Sequence, residues 1–476
     1  MTSTPRPITK VRVPIPKRSD SGVNIAELAF IVLLGFLGAA AVSLYRSENP
    51  LTAAFVLGLP LGAACVFRPR IGIYAYGFWQ AWDSAAKFGG GTQPGWVTGA
   101  KLLAVVVVLT GSLHALTSPH RISGSRRPFG YLIALCAVAT VSIAWSYDVG
   151  ASIRFAAQMW LQLVLGWIIV KLVGFNRSQM IRLMFWVVVG AFSASVYVLL
   201  FGMQQHTYLR ATLGDSANPV SVAAALVTGL SCAAVFWALI SKRAIKALLI
   251  PVGLVILFAI FATGTRAAVA AVGAGFLSIG FLTKAQGLGS KLALLAISVL
   301  LVVVGTFAAL NTGVLSEQSE SRLRNMLMLE THSFDPDVGI PRASRERIWL
   351  MSLQSYMRTY LIGTGVGASP AANEQLSGRY KDVHSSIVAS LTELGPLGFF
   401  VFVALHFSLL LRIRRLRARG LQGAALVVFV GFVLMGSTHT VYTTKWFWLP
   451  VTILLAILEL DAREGTAFIT RVGRRA

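Results

Sequence analysis

Apolar runs close to 20 residues recur along this 476-residue chain, and that recurrence leaves few folds open. A helix of about 20 residues crosses the roughly 30 Å hydrocarbon layer of a membrane, whereas soluble domains bury shorter, periodic apolar stretches. Hydrophobic residues make up 55% of the chain, charged residues 13%, and mean hydropathy is +0.71. An all-α, polytopic membrane bundle is the class this predicts. The runs fall at 24–45, 51–67, 71–86, 99–117, 129–147, 153–175, 180–202, 219–240, 246–264, 266–282, 291–310, 384–411, 421–438 and 444–460. They give about fourteen spans if the short aromatic run IGIYAYGFWQAW is included.

The net charge of +24 would suit a nucleic-acid binder, but its placement points elsewhere. Lys and Arg gather in alternate short loops at 68–70, 120–127, 171–182, 241–246, 283–291 and 412–420. With the two tails, these loops hold 27 of the 42 basic residues. Basic loops stay in the cytoplasm, so both termini are expected inside. Omitting the 71–86 span would put the basic 120–127 loop outside, against that rule. The expected organisation is a basic, proline-rich tail at 1–23, a transmembrane bundle at 24–310 and a large outer segment at 311–383. Transmembrane helices at 384–460 and a cytoplasmic tail at 461–476 follow. The first run shows no small-residue cleavage site and reads as a retained span. Cys65, Cys136 and Cys232 fall inside apolar runs without CxxC spacing, as packing residues do.

The outer segment carries as many acids as bases, unlike the inner loops. Within it, SRERIWLMSLQSYMRTY predicts an amphipathic helix with Ser344 as N-cap and Trp349, Leu353, Tyr356, Met357 and Tyr360 at helical spacing. The helix would lie on the membrane or cap the bundle. IGTGVGASP then predicts a glycine-rich turn that redirects the chain; it lacks the GK[ST] of a phosphate loop.

Four outward-facing residues carry potential chemistry. Arg266 sits in TGTRAA between two apolar runs, where its charge either snorkels to lipid phosphates or clamps an anion. Arg210 precedes ATLGDSANP, in which Asn218-Pro219 reads as a helix start with Asn as cap and Pro in the first turn. A helix start beside an arginine favours an anion, although an arginine such as Arg210, taken alone, is more often a solvated loop residue. Arg345 is either a functional arginine or the charged face of its helix. His384 heads the 384–411 run beside Asp382 and Ser385, and a neutral imidazole there accepts a hydroxyl proton at neutral pH. Glu393, nine residues further, falls roughly 13 Å deeper and on the opposite face if the helix runs from His384. It precedes Gly395-Pro396, an expected kink, and reads as a scaffold group bonded to a neighbouring helix.

RATLGDSANP, TGTRAA, SRERIW leading to IGTGVGA, and VHSSIVASLTELGPLG, in that order over about 204–411, resemble the O-antigen ligase and polysaccharide polymerase superfamily. The resemblance implies a metal-independent, inverting glycosyltransferase without a cofactor, at the outer face of the bacterial inner membrane. Its donor would be a glycan on undecaprenyl pyrophosphate, and its acceptor lipid A-core or another glycan. It implies His384, Arg266 and Arg210 as catalytic residues and Arg345, Asn218 and Ser385 as substrate-binding residues. His384-Ser385 stands where the family has histidine-asparagine, and Ser344 where it has glycine. A repeat-unit polymerase uses the same donor class, and the residues do not choose between the two reactions. A flippase for lipid-linked sugars is the non-enzymatic alternative, but it calls for charges deep in the spans, where Glu393 is the chief one.

Overall fold

The computed structural model describes residues 64–83, 99–202, 213, 218–282, 345–378, 380–440, 442 and 444–473, all within one compact unit. Arg210, Ser344, the 24–45 and 291–310 runs and most of the outer segment before Arg345 lie outside the described residues. The described chain is helical, with no strand among the described residues. In order its helices are α1 (Pro69–Trp79), α2 (Gly99–Thr117), α3 (Arg126–Val141), α4 (Val149–Ile169), α5 (Arg177–Phe201), α6 (Pro219–Leu239) and α7 (Arg243–Ala262). After these come α8 (Arg266–Leu282), α9 (Arg345–Arg358), α10 (Ser369–Ser377), α11 (Ser386–Ile413), α12 (Arg419–Ser437) and α13 (Lys445–Gly473). A 3-10 turn, Ser142–Trp145, extends α3, and a π turn, Val170–Gly174, ends α4.

Polar residues at the ends of the apolar runs start these helices. The side chains of Asp148, Asn176 and Asn218 accept the Ala151, Ser178 and Val220 backbone N–H groups, each satisfying a donor that the first turn leaves open. Pro219 occupies the first turn of α6, as the Asn-Pro pair predicts. Among the described residues, seven helices are long and apolar enough to cross a membrane: α3 and α4 with their terminal turns, α5, α6, α7, α11 and α12.

The aromatic run at 71–86 departs from expectation. It forms the 11-residue α1, about 16 Å long at 1.5 Å per residue, which is short of the hydrocarbon thickness. A turn at Gln80–Asp83 ends it, and Trp82 Nε1 donates to Ser193 Oγ of α5 at 2.9 Å. The expected count of about fourteen spans also rests on the 24–45, 51–67 and 291–310 runs, which lie wholly or mostly outside the described residues.

Hydrogen bonds divide the bundle into two ends. At one, Arg70 Nε donates to Leu172 O at 3.2 Å, Arg463 Nη1 to Phe175 O at 2.6 Å, and Arg177 Nη2 to Leu239 O at 3.0 Å. Arg412 donates to Gly124 O at the same end. These contacts gather the basic loops at 68–70, 120–127, 171–182 and 412–420 on a single surface. At the other end, Tyr147 N donates to Thr364 O at 3.0 Å and Ser152 Oγ to Val366 O at 2.7 Å. Because α5 starts where α6 finishes, Asn218 lies at this second end. The short α6–α7 and α7–α8 connections return the chain there at Arg266.

Close approach of helices fills the interior. α6 is the most enclosed of the seven spans and packs against α5, α7 and α12. At the crossing of α5 and α6, a Cβ on Gly229 would stand 2.1 Å from Ala191 Cβ, so only glycine permits the contact. Cys65, Cys136 and Cys232 are buried and free, as packing residues.

Candidate functional site

The site grows from a break in α11. At Gly395 the backbone turns to φ 69° and ψ −171°, and Pro396 follows, so the predicted kink is present. Proline has no N–H, so the Thr392 carbonyl loses its helical partner. The glycine-rich loop after α9 supplies replacements: Thr364 N donates to Thr392 O at 2.9 Å, and Gly365 N to Glu393 O at 3.0 Å. Gly363, Gly365 and Gly367 all have positive φ, which lets the loop lie flat against the break. A Cβ on Gly363 would sit 2.5 Å from Glu393 O.

Glu393 locks this junction from within. Its carboxylate is 1% exposed and accepts Gly367 N at 2.8 Å, Ser369 Oγ at 2.6 Å and the Tyr442 hydroxyl. The expected scaffold role matches these contacts, with the partners supplied by the glycine loop, the start of α10 and the α12–α13 connection. Burying a carboxylate without such donors would be costly.

His384 does not begin the helix. The first helical residue is Ser386, and Ser385 is a buried N-cap whose hydroxyl accepts Val388 N at 3.4 Å. The assumption of continuous helix from His384 to Glu393 therefore does not hold. One loop reaches both neighbourhoods instead: Thr440 Oγ1 donates to Asp382 Oδ1 at 3.1 Å, while Tyr442 holds Glu393.

Around His384 the arrangement is open and charged. Its Nδ1 lies 3.7 Å from Asp382 Oδ2, and its side chain is 43% exposed. The separation exceeds a hydrogen bond but is within electrostatic contact. The His439 ring stands 6.0 Å from it, centre to centre, and Ser386 Oγ donates to His439 O at 2.7 Å. His384 also has φ 53°, a left-handed backbone that costs a non-glycine residue about 1–2 kcal/mol. Such outliers persist where surrounding structure fixes them, and they concentrate at functional sites.

Arg266, Arg345 and Asn218 each open a helix at this same end. Arg266 is exposed at the start of α8, with no hydrogen bond or ion pair among the described residues. Arg345 opens α9, and one turn later Trp349 Nε1 donates to Val383 O at 3.0 Å, which sets that turn against the His384 segment. Asn218 caps α6.

The buried face of α9 differs from the apolar spacing. Ile348, Ser352, Ser355 and Tyr356 are buried, with Thr359 just beyond the helix, while Met357 and Tyr360 are exposed. The reason is Asn373 of α10, fully buried: its Nδ2 donates to Ser352 Oγ at 3.0 Å and to Lys381 O at 2.9 Å, and its Oδ1 accepts from Ser355 Oγ at 3.1 Å. Sequence reasoning passed over Asn373, His439, Thr440 and Tyr442. The stretch STHTVYTTK, a histidine among hydroxyls between two apolar runs, was the available signal.

Residues 251–403 match a protein-family model described as O-antigen ligase. The matched segment contains Arg266, α9, the glycine loop, His384 and the broken first part of α11, so the superfamily resemblance holds there. Asn218 and the His439–Tyr442 loop lie outside it. No curated protein matches the chain.

Proposed function

We propose that this membrane protein, whose residues 251–403 carry the O-antigen ligase match, transfers a glycan from undecaprenyl pyrophosphate to an acceptor sugar at the outer face of the inner membrane. The observation that carries this reading is the exposed His384 imidazole beside Asp382, at the same end as an exposed Arg266 that has no ion pair among the described residues.

In this reading the donor's anomeric carbon is already activated by its pyrophosphate. An acceptor hydroxyl oxygen attacks that carbon from the face opposite the leaving group. A new C–O bond forms as the anomeric C–O bond to phosphate breaks, and inversion follows. The electron pair leaves with undecaprenyl pyrophosphate, and the hydroxyl proton passes to His384 Nε2. A carboxylate near Nδ1 favours the tautomer protonated there, leaving Nε2 free to accept. Arg266, with Arg210 and Arg345, holds the departing pyrophosphate through planar guanidinium groups. Asn218 and Ser385 order the helix starts that frame the substrate.

Purified protein, lipid-linked glycan and candidate acceptors provide the test. Transfer without added nucleotide, undiminished by EDTA, is the expected result. Transfer that stops in EDTA and returns with Mg²⁺ would overturn the arginine-based mechanism. Product linked to lipid A-core supports the ligase reading, whereas extension of a second lipid-linked repeat would identify a polymerase.

A further inference from the structure

A second cluster of charge lies at the opposite end of the bundle. Arg70 in the first turn of α1, Lys171 in the π turn that ends α4 and Arg463 in α13 gather around His120 and the segment 171–175. Arg70 and Arg463 donate to the Leu172 and Phe175 carbonyls at 3.2 and 2.6 Å. Lys171 Nζ donates to Ser118 O at 3.4 Å and to His120 O. The His120 ring stacks on Phe175 with centres 4.7 Å apart, and the Arg463 guanidinium lies 5.7 Å from the centre of the same ring.

Arg70 and Arg463 cap the carbonyl end of α4 and Lys171 the chain just after α2, which accounts for part of their placement. It does not account for three full charges against the partial charges of two helix ends. The acids of α13 nearest to them are committed elsewhere. Glu459 accepts from the Ser123 and Ser125 backbone and hydroxyl groups, Asp461 from Arg417 N, and Glu464 pairs with Arg177 at 3.4 Å. No acid pairs with Arg70, Lys171 or Arg463 among the described residues. Burial first, then Arg463, Lys171 and Arg70, hold the His120 pKa below its ordinary value.

Phe67, one turn before Arg70, is largely exposed, as are Leu109, Leu113 and Leu116 on α2 leading to Ser118. An apolar wall thus ends at the cationic cluster, the pattern of an acyl chain below a headgroup. We infer that Arg70, Lys171 and Arg463 bind the phosphate of an anionic phospholipid whose acyl chain lies along Phe67 and α2.

Native mass spectrometry of the full chain, titrated with phosphatidylglycerol or phosphatidylcholine, tests this. Phosphatidylglycerol is expected to bind preferentially. Arg70→Gln and Arg463→Gln should each weaken it roughly 5-fold, the equivalent of about 1 kcal/mol per basic side chain near an anionic surface. Arg70→Lys keeps the charge and should bind close to normally, which separates lost charge from lost folding. Arg177→Gln, whose partner is Glu464, should leave the preference intact. Equal binding of both lipids, or an unchanged preference in both Gln variants, would overturn the site. Inorganic phosphate that displaces phosphatidylglycerol at comparable concentration would reassign it to a soluble anion.

Discussion

The Glu393 carboxylate and the Gly367 backbone N–H, 26 residues apart in sequence, meet at 2.8 Å inside the protein. The pairing joins two irregularities that neither segment sustains alone: a helix broken at Gly395 and a loop of positive-φ glycines. Ser369 and Tyr442 add donors to the same carboxylate, so the glycine loop, the α12–α13 connection and α11 are held as one piece. His384 lies nine residues before Glu393, at the entry to that piece.

Glu393→Gln replaces one acceptor oxygen with an amide that faces donors. Losing a hydrogen bond to a charged group costs about 1.5–3 kcal/mol, so melting temperature and folded yield should drop. The folded fraction should still transfer glycan. A variant of normal thermal stability but no transfer activity would show that Glu393 takes part in the chemistry.

Two glycines of similar φ offer a graded comparison. Gly378, φ 67°, has nothing within 4 Å of where an added Cβ would stand, so Gly378→Ala should cost about 1–2 kcal/mol of backbone strain. Gly395, φ 69°, combines a glycine-only ψ with a Cβ position 2.7 Å from Ile362 O. Gly395→Ala should be the more damaging of the two by thermal melting. Equal melting temperatures would count against the tight docking of the loop on the break.

Much of this architecture was legible in the chain. Apolar runs of span length, the Asn218-Pro219 start and the Gly395-Pro396 break are local signals, set by hydrocarbon thickness, capping and a missing N–H. The gathering of basic loops at one end also followed from charge alone. What escaped was non-local. The aromatic run at 71–86 reads as a span by hydropathy, yet it is cut short by a turn tied through Trp82 to Ser193 of α5. Ser352 and Ser355 look solvent-facing until Asn373 of another helix satisfies them. Tyr442 finds Glu393 from 49 residues away, a separation over which helical periodicity carries no information.

The proposed chemistry separates charge from shape. Arg266→Lys keeps the charge but loses the planar fork, so transfer should decline strongly while insertion and expression stay normal. His384→Ala should reduce transfer roughly 10²–10⁴-fold, the scale of a general base, with donor binding retained. Asp382→Asn, which touches the chemistry through His384, should lose less. Assays of donor binding and single-turnover transfer distinguish these outcomes, and near-normal transfer in His384→Ala would remove the base assignment.

His120 gives the protein a pH dependence with a definite sign. Partial burial, then Arg463, Lys171 and Arg70, hold its imidazole pKa below the ordinary value. The unfolded chain takes up this proton near pH 6.5, the folded protein only at lower pH. Below about pH 6.5 the unfolded state therefore binds more protons, and stability falls as the solution is acidified toward the folded-state pKa. Melting temperature measured from pH 7.5 to 5 in a zwitterionic environment should decline less for His120→Gln than for wild type. Phosphatidylglycerol should also flatten the wild-type profile, because an anionic headgroup among the three cations makes protonation of the folded His120 easier. Identical profiles for wild type and His120→Gln would show that this imidazole is not held neutral by its neighbours.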